Sequence, residues 1–161
     1  MSRDRRNPPN CEPLEGKLLL SASPSTLPAA TGTVILDGNF TSNAKSVKST
    51  GTTTVTITEP FVGRSRSLGR VKATLTEVVD NTTGTLQSAG IVLNNAKGSV
   101  VIAFGQNDLI SQTSTKTKST EVLAYTVDHG TGAYANAGGA GTFTMTYVFK
   151  SGAIRAKFHS T

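Results

Sequence analysis

The 161-residue chain has no tryptophan, one cysteine and two histidines. A single thiol, Cys11, excludes an intrachain disulfide, and alone it cannot build a zinc site. Two histidines are too few for most metal chemistry, so neither a metal nor any other cofactor is expected. Carboxylates are sparse, ten in all. No Ser-His-Asp order, paired-carboxylate arrangement or metal-ligand cluster appears. No apolar run approaches the roughly 18 residues that cross a bilayer as a helix, which predicts no transmembrane segment. Helical periodicity does not persist for three turns anywhere, and that argues against a helical domain.

Serine and threonine stand out instead. Together they supply about a quarter of the residues, well above ordinary usage. Threonine is β-branched and suits a pleated, half-exposed surface. Hydrophobic residues make up 36%, enough for the core of one small domain. The formal net charge is +6, which permits attraction to an anionic envelope polymer or to nucleic acid without establishing either. The one local basic cluster runs from Arg64 and Arg66 to Lys72. No aromatic residue interleaves with it, as a platform for single-stranded bases would need. Specific nucleic-acid binding is therefore not expected, and the cluster reads first as a solvated basic edge. Weak polyanion binding through it is a separate reading, testable by its salt dependence.

From residue 31 onward apolar residues recur with period two, the signature of strands. Thr53, Val55 and Ile57 share one face, and Thr52, Thr54, Thr56 and Thr58 the other. Val71, Ala73 and Leu75 oppose Arg70, Lys72 and Thr74. Glu121, Leu123, Tyr125 and Val127 alternate with Val122, Ala124 and Thr126. Phe143, Met145, Tyr147 and Phe149 share a face, and Ile154, Ala156 and Phe158 oppose Arg155, Lys157 and His159. Gly98–Phe104 alternates less cleanly and is expected to be buried on both sides. Turn signals such as Asp37-Gly38 and Ser151-Gly152 separate the runs. The spacing predicts about eight strands, near 33–40, 50–58, 69–79, 85–94, 98–105, 118–127, 140–149 and 153–159. The expected fold class is all-β: a closed antiparallel barrel over residues 31–161, because closure removes the exposed edges of a sandwich. Residues 1–30, dense in proline and polar side chains, are expected to be a disordered targeting segment.

Between two of these runs lies the sequence HGTGAYANAGGAGTFT, residues 129–144. Glycine-rich runs can cradle phosphate, but that use needs a helix immediately after the loop. Here a strand pattern follows Gly141, and no lysine follows the glycines as a phosphate loop requires. Gly130, Gly132, Gly138, Gly139 and Gly141 are instead expected to form a structural corner, with positive φ and close packing. The run Gly130–Thr144 resembles the GGTGxFxGAxGxGTxT motif of allene oxide cyclase-like and dirigent-like β-barrels and their bacterial relatives. Tyr134 stands at the motif's aromatic, and Gly132 and Gly141 match its glycines. His129 replaces the usual first glycine and Asn136 a common one. The stretch Leu68–Asp80 followed by Gly84 is similar to a mid-barrel strand and turn of those proteins. The resemblance implies an eight-stranded calycin-like barrel whose lumen can hold an apolar ligand, and relatives that often form homo-oligomers. It carries over no activity and no site residue.

A second resemblance lies in residues 12–22, EPLEGKLLLSA, preceded by Arg3, Arg5 and Arg6. They are similar to the LEPRxLLSA-type tag at the front of exported bacterial proteins, departing from it at Gly16-Lys17. The resemblance implies export or attachment to the cell envelope. Leu18–Leu20 is too short an apolar core for an ordinary secretory signal.

Candidate ligand-contacting residues in the lumen are Glu77, Tyr125, Tyr134, Phe143 and Tyr147. Glu77 is in phase with Val71, Ala73 and Leu75; unbroken alternation would carry its carboxyl inward and raise its pKa. A bulge or mouth position at the strand end is the favoured alternative. The tyrosines and Phe143 could instead be ordinary core aromatics. Asp128 and His129 are adjacent, hence expected on opposite faces, and His159 is expected in solvent. No catalytic residue is assigned. The preferred expectation is an exported binding or structural barrel with a lumen able to hold a small apolar ligand. A cyclase- or dirigent-like enzyme and a polyanion-binding surface protein are the alternatives. A lumen filled by side chains would exclude the enzyme, and an open one containing Glu77 or a tyrosine hydroxyl would keep it in play.

Overall fold

A computed structural model describes residues 32–105 and 107–161. The expected targeting segment, its tag-like residues 12–22 and Cys11 lie outside the described residues. The first strands are β1, Gly32–Thr33, β2, Gly38–Asn43, and β3, Lys48–Thr50. Three long strands follow: β4, Thr54–Ser65, β5, Gly69–Asp80, and β6, Thr85–Asn95. Then come β7, Gly98–Phe104, β8, Leu109–Ser114, and β9, Lys118–Gly130. The chain finishes with β10, Ala137–Gly138, β11, Ala140–Val148, and β12, Ala153–Ser160.

Eight of these strands close an antiparallel barrel in the order β2, β4, β5, β6, β7, β9, β11, β12, with β12 returning to β2. The two short strands extend staves rather than adding them. β3 pairs with β4 beyond the end of β2, and β8 pairs with β9 beyond the end of β7. Alternation then decides what is inside. Phe61, Val71, Ala73, Leu75, Ile91, Leu93, Val100, Ile102 and Phe143 are buried, and their sequence neighbours point outward. Phe158 is the hub of this core. Its ring lies 5.4 Å from Phe40, 5.4 Å from Tyr125 and 4.9 Å from Phe143.

One end of the barrel is sealed. Residues 32–37 cross it, burying Val34 and Leu36. The Val34 amide donates to the Gly138 carbonyl, and the Leu36 amide to Ser160 Oγ, both at 2.7 Å. The Ser160 amide in turn donates to Asp37 Oδ1 at 2.7 Å. The glycine corner packs beside this seal. Gly132 has φ +58°, which an L-residue rarely adopts. Gly141 faces β12 so closely that a Cβ there would collide with the His159 carbonyl oxygen and come within 2.9 Å of Ser160 Cα. Gly139 also has positive φ, Gly130 is packed against Tyr134, and Gly138 is neither strained nor crowded. No helix follows Gly141, which is itself the second residue of β11. Gly141→Ala is expected to lower stability by about 1–3 kcal/mol, because backbone rather than a flexible side chain must move. Urea denaturation followed by circular dichroism checks it, and an unchanged midpoint would mean that the corner yields easily.

Three sequence expectations need correction. The expected strand 33–40 begins later, as β2, because residues 34–37 leave the wall to seal the end. The expected strand 50–58 is broken and then prolonged: Thr50 ends β3, residues 51–53 lie outside any strand, and β4 starts at Thr54 and runs through Pro60 to Ser65. Proline is tolerated because β3 pairs with β4 only up to Thr58 and β2 only from Val62, so Pro60 sits where that side of β4 lacks a partner. Gly98–Phe104 is buried on one face only: Val100, Ile102 and Phe104 are inside, whereas Ala103 is exposed.

Candidate functional site

Toward the other end, the same inward phase continues but water reaches it. On β4 the inward residues run from buried Phe61 and Glu59 to partly buried Ile57 and Val55. On β5 they run from buried Leu75 to partly buried Glu77 and Val79, and on β9 from buried Tyr125 to partly buried Leu123 and Glu121. Met145 and Tyr147 complete the series on β11. The interior is therefore fully buried toward the sealed end and partly open to solvent at the other, which we call the cup. The wall of the cup is also split. β6 pairs with β7 only from Ala89 onward, and β8 pairs only with β9, so Thr85–Ser88 and β8 face each other as unpaired edges. Leu109, at the start of β8, is 50% exposed at this seam.

Three carboxyls mark the inner surface of the cup. Glu59 is only 6% exposed, and its Oε1 has no hydrogen-bond partner. Burial pushes its pKa from the ordinary 4.5 to about 7; the neighbouring Glu77 adds to the rise, and the Ser42 hydroxyl opposes it. Glu77 pairs across strands with Ile57, and Glu59 with Leu75, so the two glutamates are diagonal neighbours on one face, roughly 7–8 Å apart at the backbone. Burial also raises the Glu77 pKa, and Glu121 adds to it. Glu121 pairs with Met145 across β9 and β11, and its carboxylate accepts from Gln112 Nε2 at 2.7 Å. The register shift of β5 falls between Val78 and Val79, one residue after Glu77. Alternation thus holds through Glu77, and the bulge lies just outside it. Among the described residues no three His, Cys, Asp or Glu side chains are grouped closely enough to hold a metal ion.

The other sequence candidates separate into three places. Tyr147 lies in the cup and packs on Phe149 at 5.5 Å. Tyr125 and Phe143 belong to the packed half, 2% and 1% exposed. Burial raises the Tyr125 pKa; its bond to Ser160 Oγ, at 3.1 Å, opposes the rise and Asp37 assists it. Tyr134 stands off the barrel wall, in a 3-10 turn at Gly132–Tyr134, where its hydroxyl accepts from Asn95 Nδ2 at 2.9 Å. Asp128 and His129 do touch, with Nδ1 2.8 Å from Oδ2, contrary to the expectation from alternation. The cause is a bulge: Val101 pairs with His129 and Ile102 with Val127, leaving Asp128 as the extra residue. The pair is well exposed and far from the cup's carboxyls along β9.

Comparison with protein-family models, with curated proteins and with solved structures finds no match to this chain. Among the described residues no helix is long and apolar enough to cross a membrane.

Glu59 and Glu121 were not among the sequence candidates. Glu121 was readable, since it shares the phase of Leu123 and Tyr125. Glu59 shares the phase of Val55 and Ile57, but Pro60 beside it marked the strand as ended.

Proposed function

We propose that the protein is an exported or envelope-associated small-molecule-binding barrel, whose cup holds an apolar body carrying a positive charge. The observation that carries this reading is Glu59, a carboxyl 6% exposed with an unpartnered oxygen, set beside Glu77 and among apolar walls. A buried polar group without a partner costs free energy. A cation seated in the cup would supply the partner and would restore the ionised form that burial disfavours. Ile57, Leu123, Met145 and Tyr147 offer apolar contact to the rest of the ligand. The tag-like residues 12–22 support the exported placement. The resemblance to cyclase- and dirigent-like barrels supports an interior used for ligands.

A second reading rests on the same carboxyl. A group titrating near neutrality suits general acid–base work, so a cyclase- or dirigent-like enzyme acting on an apolar substrate in the cup is the alternative. Both readings need an open, acidic cup; only the second needs turnover.

Calorimetric titration of the full chain with octylamine, octanol and octanoate tests the first reading. In about 0.3 M salt, which screens the exposed basic surface, octylamine is expected to bind at least tenfold more tightly than octanol. Binding should release protons at pH 7, where Glu59 is part-protonated, and fewer at pH 9. Glu59→Gln should abolish most of the preference for the amine. Equal binding of amine and alcohol, or a preference for octanoate, would remove the cationic-ligand reading.

A further inference from the structure

The outer surface carries a basic, grooved face away from the cup. Strand register lines up outward side chains into rows that cross the sheet. One row runs Thr144, Lys157, Asn39, Arg64, Arg70 across β11, β12, β2, β4 and β5. The adjacent row runs Thr146, Arg155, Thr41, Val62, Lys72. Five cations thus meet on one face, although Arg155 and Lys157 are remote in sequence from Arg64–Lys72. All five are exposed. No acidic residue occupies either row, and among the described residues no ion pair involves a lysine or an arginine.

The face is grooved. An open trough of about 700 Å³ follows β2 and β4, with Arg64 and Arg70 on its lining. A second trough of about 260 Å³ follows β12, with Arg155 and Lys157 on its lining. Both are lined by Asn39 and Thr41, so they are continuous over β2. The short outward residues of β2 form the floor between two basic walls. From Lys157 to Arg70 the row covers three strand spacings, roughly 14 Å. Arg64 stands directly opposite Arg70, an arrangement of like charges that destabilises a sheet. An anion lying along the row would relieve it.

We propose that this face binds an acidic polysaccharide. The positive rows fit a chain of anionic groups. Asn39, Thr41, Thr144 and Thr146 provide hydrogen-bonding partners for sugar hydroxyls. Neither row contains an aromatic side chain, so bases of a single strand would find nothing to stack on.

The test uses the full chain with dextran sulfate, polygalacturonate, neutral dextran, a thymidine oligonucleotide and phosphatidylglycerol vesicles. The two acidic polysaccharides are expected to bind at about 0.15 M salt, with an affinity that falls steeply as salt rises, and neutral dextran is not. The variant Arg64→Thr/Arg70→Thr/Arg155→Thr/Lys157→Thr should lose at least about thirtyfold in affinity and flatten the salt slope by roughly 2–4. A control with the same charge change, Lys45→Thr/Lys48→Thr/Lys116→Thr/Lys118→Thr, removes exposed lysines from the open end of the barrel and should lose less than threefold. Equal losses in the two variants would overturn the proposal, because net charge alone would then account for binding. Tighter binding of the oligonucleotide or of the vesicles than of either polysaccharide would overturn it too. That ranking is read on the unaltered protein and does not depend on how the variants fold.

Discussion

Glu59→Gln should stabilise the protein by about 3 kcal/mol at pH 8 and leave it nearly unchanged at pH 4. The carboxyl titrates near 7 in the folded protein and near 4.5 when unfolded. Below pH 4.5 it is protonated in both states, so glutamine, its neutral near-isostere, changes little. Between pH 4.5 and 7 the folded state holds the proton more tightly, and stability falls as pH rises. Above pH 7 the full penalty for an ionised buried carboxylate is present. A displacement of about 2.5 pH units at 1.36 kcal/mol each gives the figure of about 3 kcal/mol. Glu77, raised in the same direction, should steepen the fall in the unaltered protein. Urea denaturation at pH 4, 6 and 8 reads the difference directly. A gain of equal size at every pH would mean that Glu59 is destabilising for packing reasons rather than for its charge. A gain of 3 kcal/mol is a sizeable share of the roughly 5–15 kcal/mol that holds a domain together. Glutamine would be the better residue for folding at neutral pH, and a destabilising group at an otherwise apolar wall is a common mark of a site kept for function.

The same carboxyl shows how far the sequence could be read. The phases of β5, β11 and β12 were legible because each alternates over at least seven residues with threonine, arginine or lysine prominent on the outer face; on β9, where Val122 and Ala124 point outward, alternation was visible but which face is buried was not. Val71, Ala73 and Leu75 put Glu77 in the inward phase, but nothing in the sequence placed the bulge beyond it, so a bulge or mouth position was the favoured reading; the late glycines pointed to a corner that needs close backbone approach. Glu59 was hidden by Pro60. Proline ends most central strands because it removes a ladder hydrogen bond, and its acceptance here depends on a gap between β2 and β3 that no local pattern announces. β8 was hidden for a related reason. Leu109–Ser114 has no alternation of its own, every residue is exposed, and it takes its place only by pairing with β9 across a bulge. The basic face is the clearest case of information that the fold alone supplies. Arg64 and Arg70 are six positions apart, but Lys157 reaches their row only because β12 returns to β2 and closes the ring.

Phe158→Ala should cost about 3–5 kcal/mol, the largest loss expected from any single substitution named here. The ring is 1% exposed and is contacted by Phe40, Tyr125 and Phe143 at once. These neighbours sit on three different staves, β2, β9 and β11, each held by a full ladder, so the space cannot close by moving one side chain. Truncation should therefore leave a dry cavity lined by aromatic edges, of the kind that takes up small apolar molecules. Benzene should then raise the melting temperature of the variant by ligand linkage and leave that of the unaltered protein where it was. The division of the barrel into a packed half and an open cup depends on that contrast. Were benzene to stabilise the unaltered protein equally, the sealed half would itself be a binding chamber, and the ligand would belong among Tyr125, Phe143 and Phe158 rather than beside Glu59. Were the variant to lose octylamine binding while still folded, the two halves would be one continuous site.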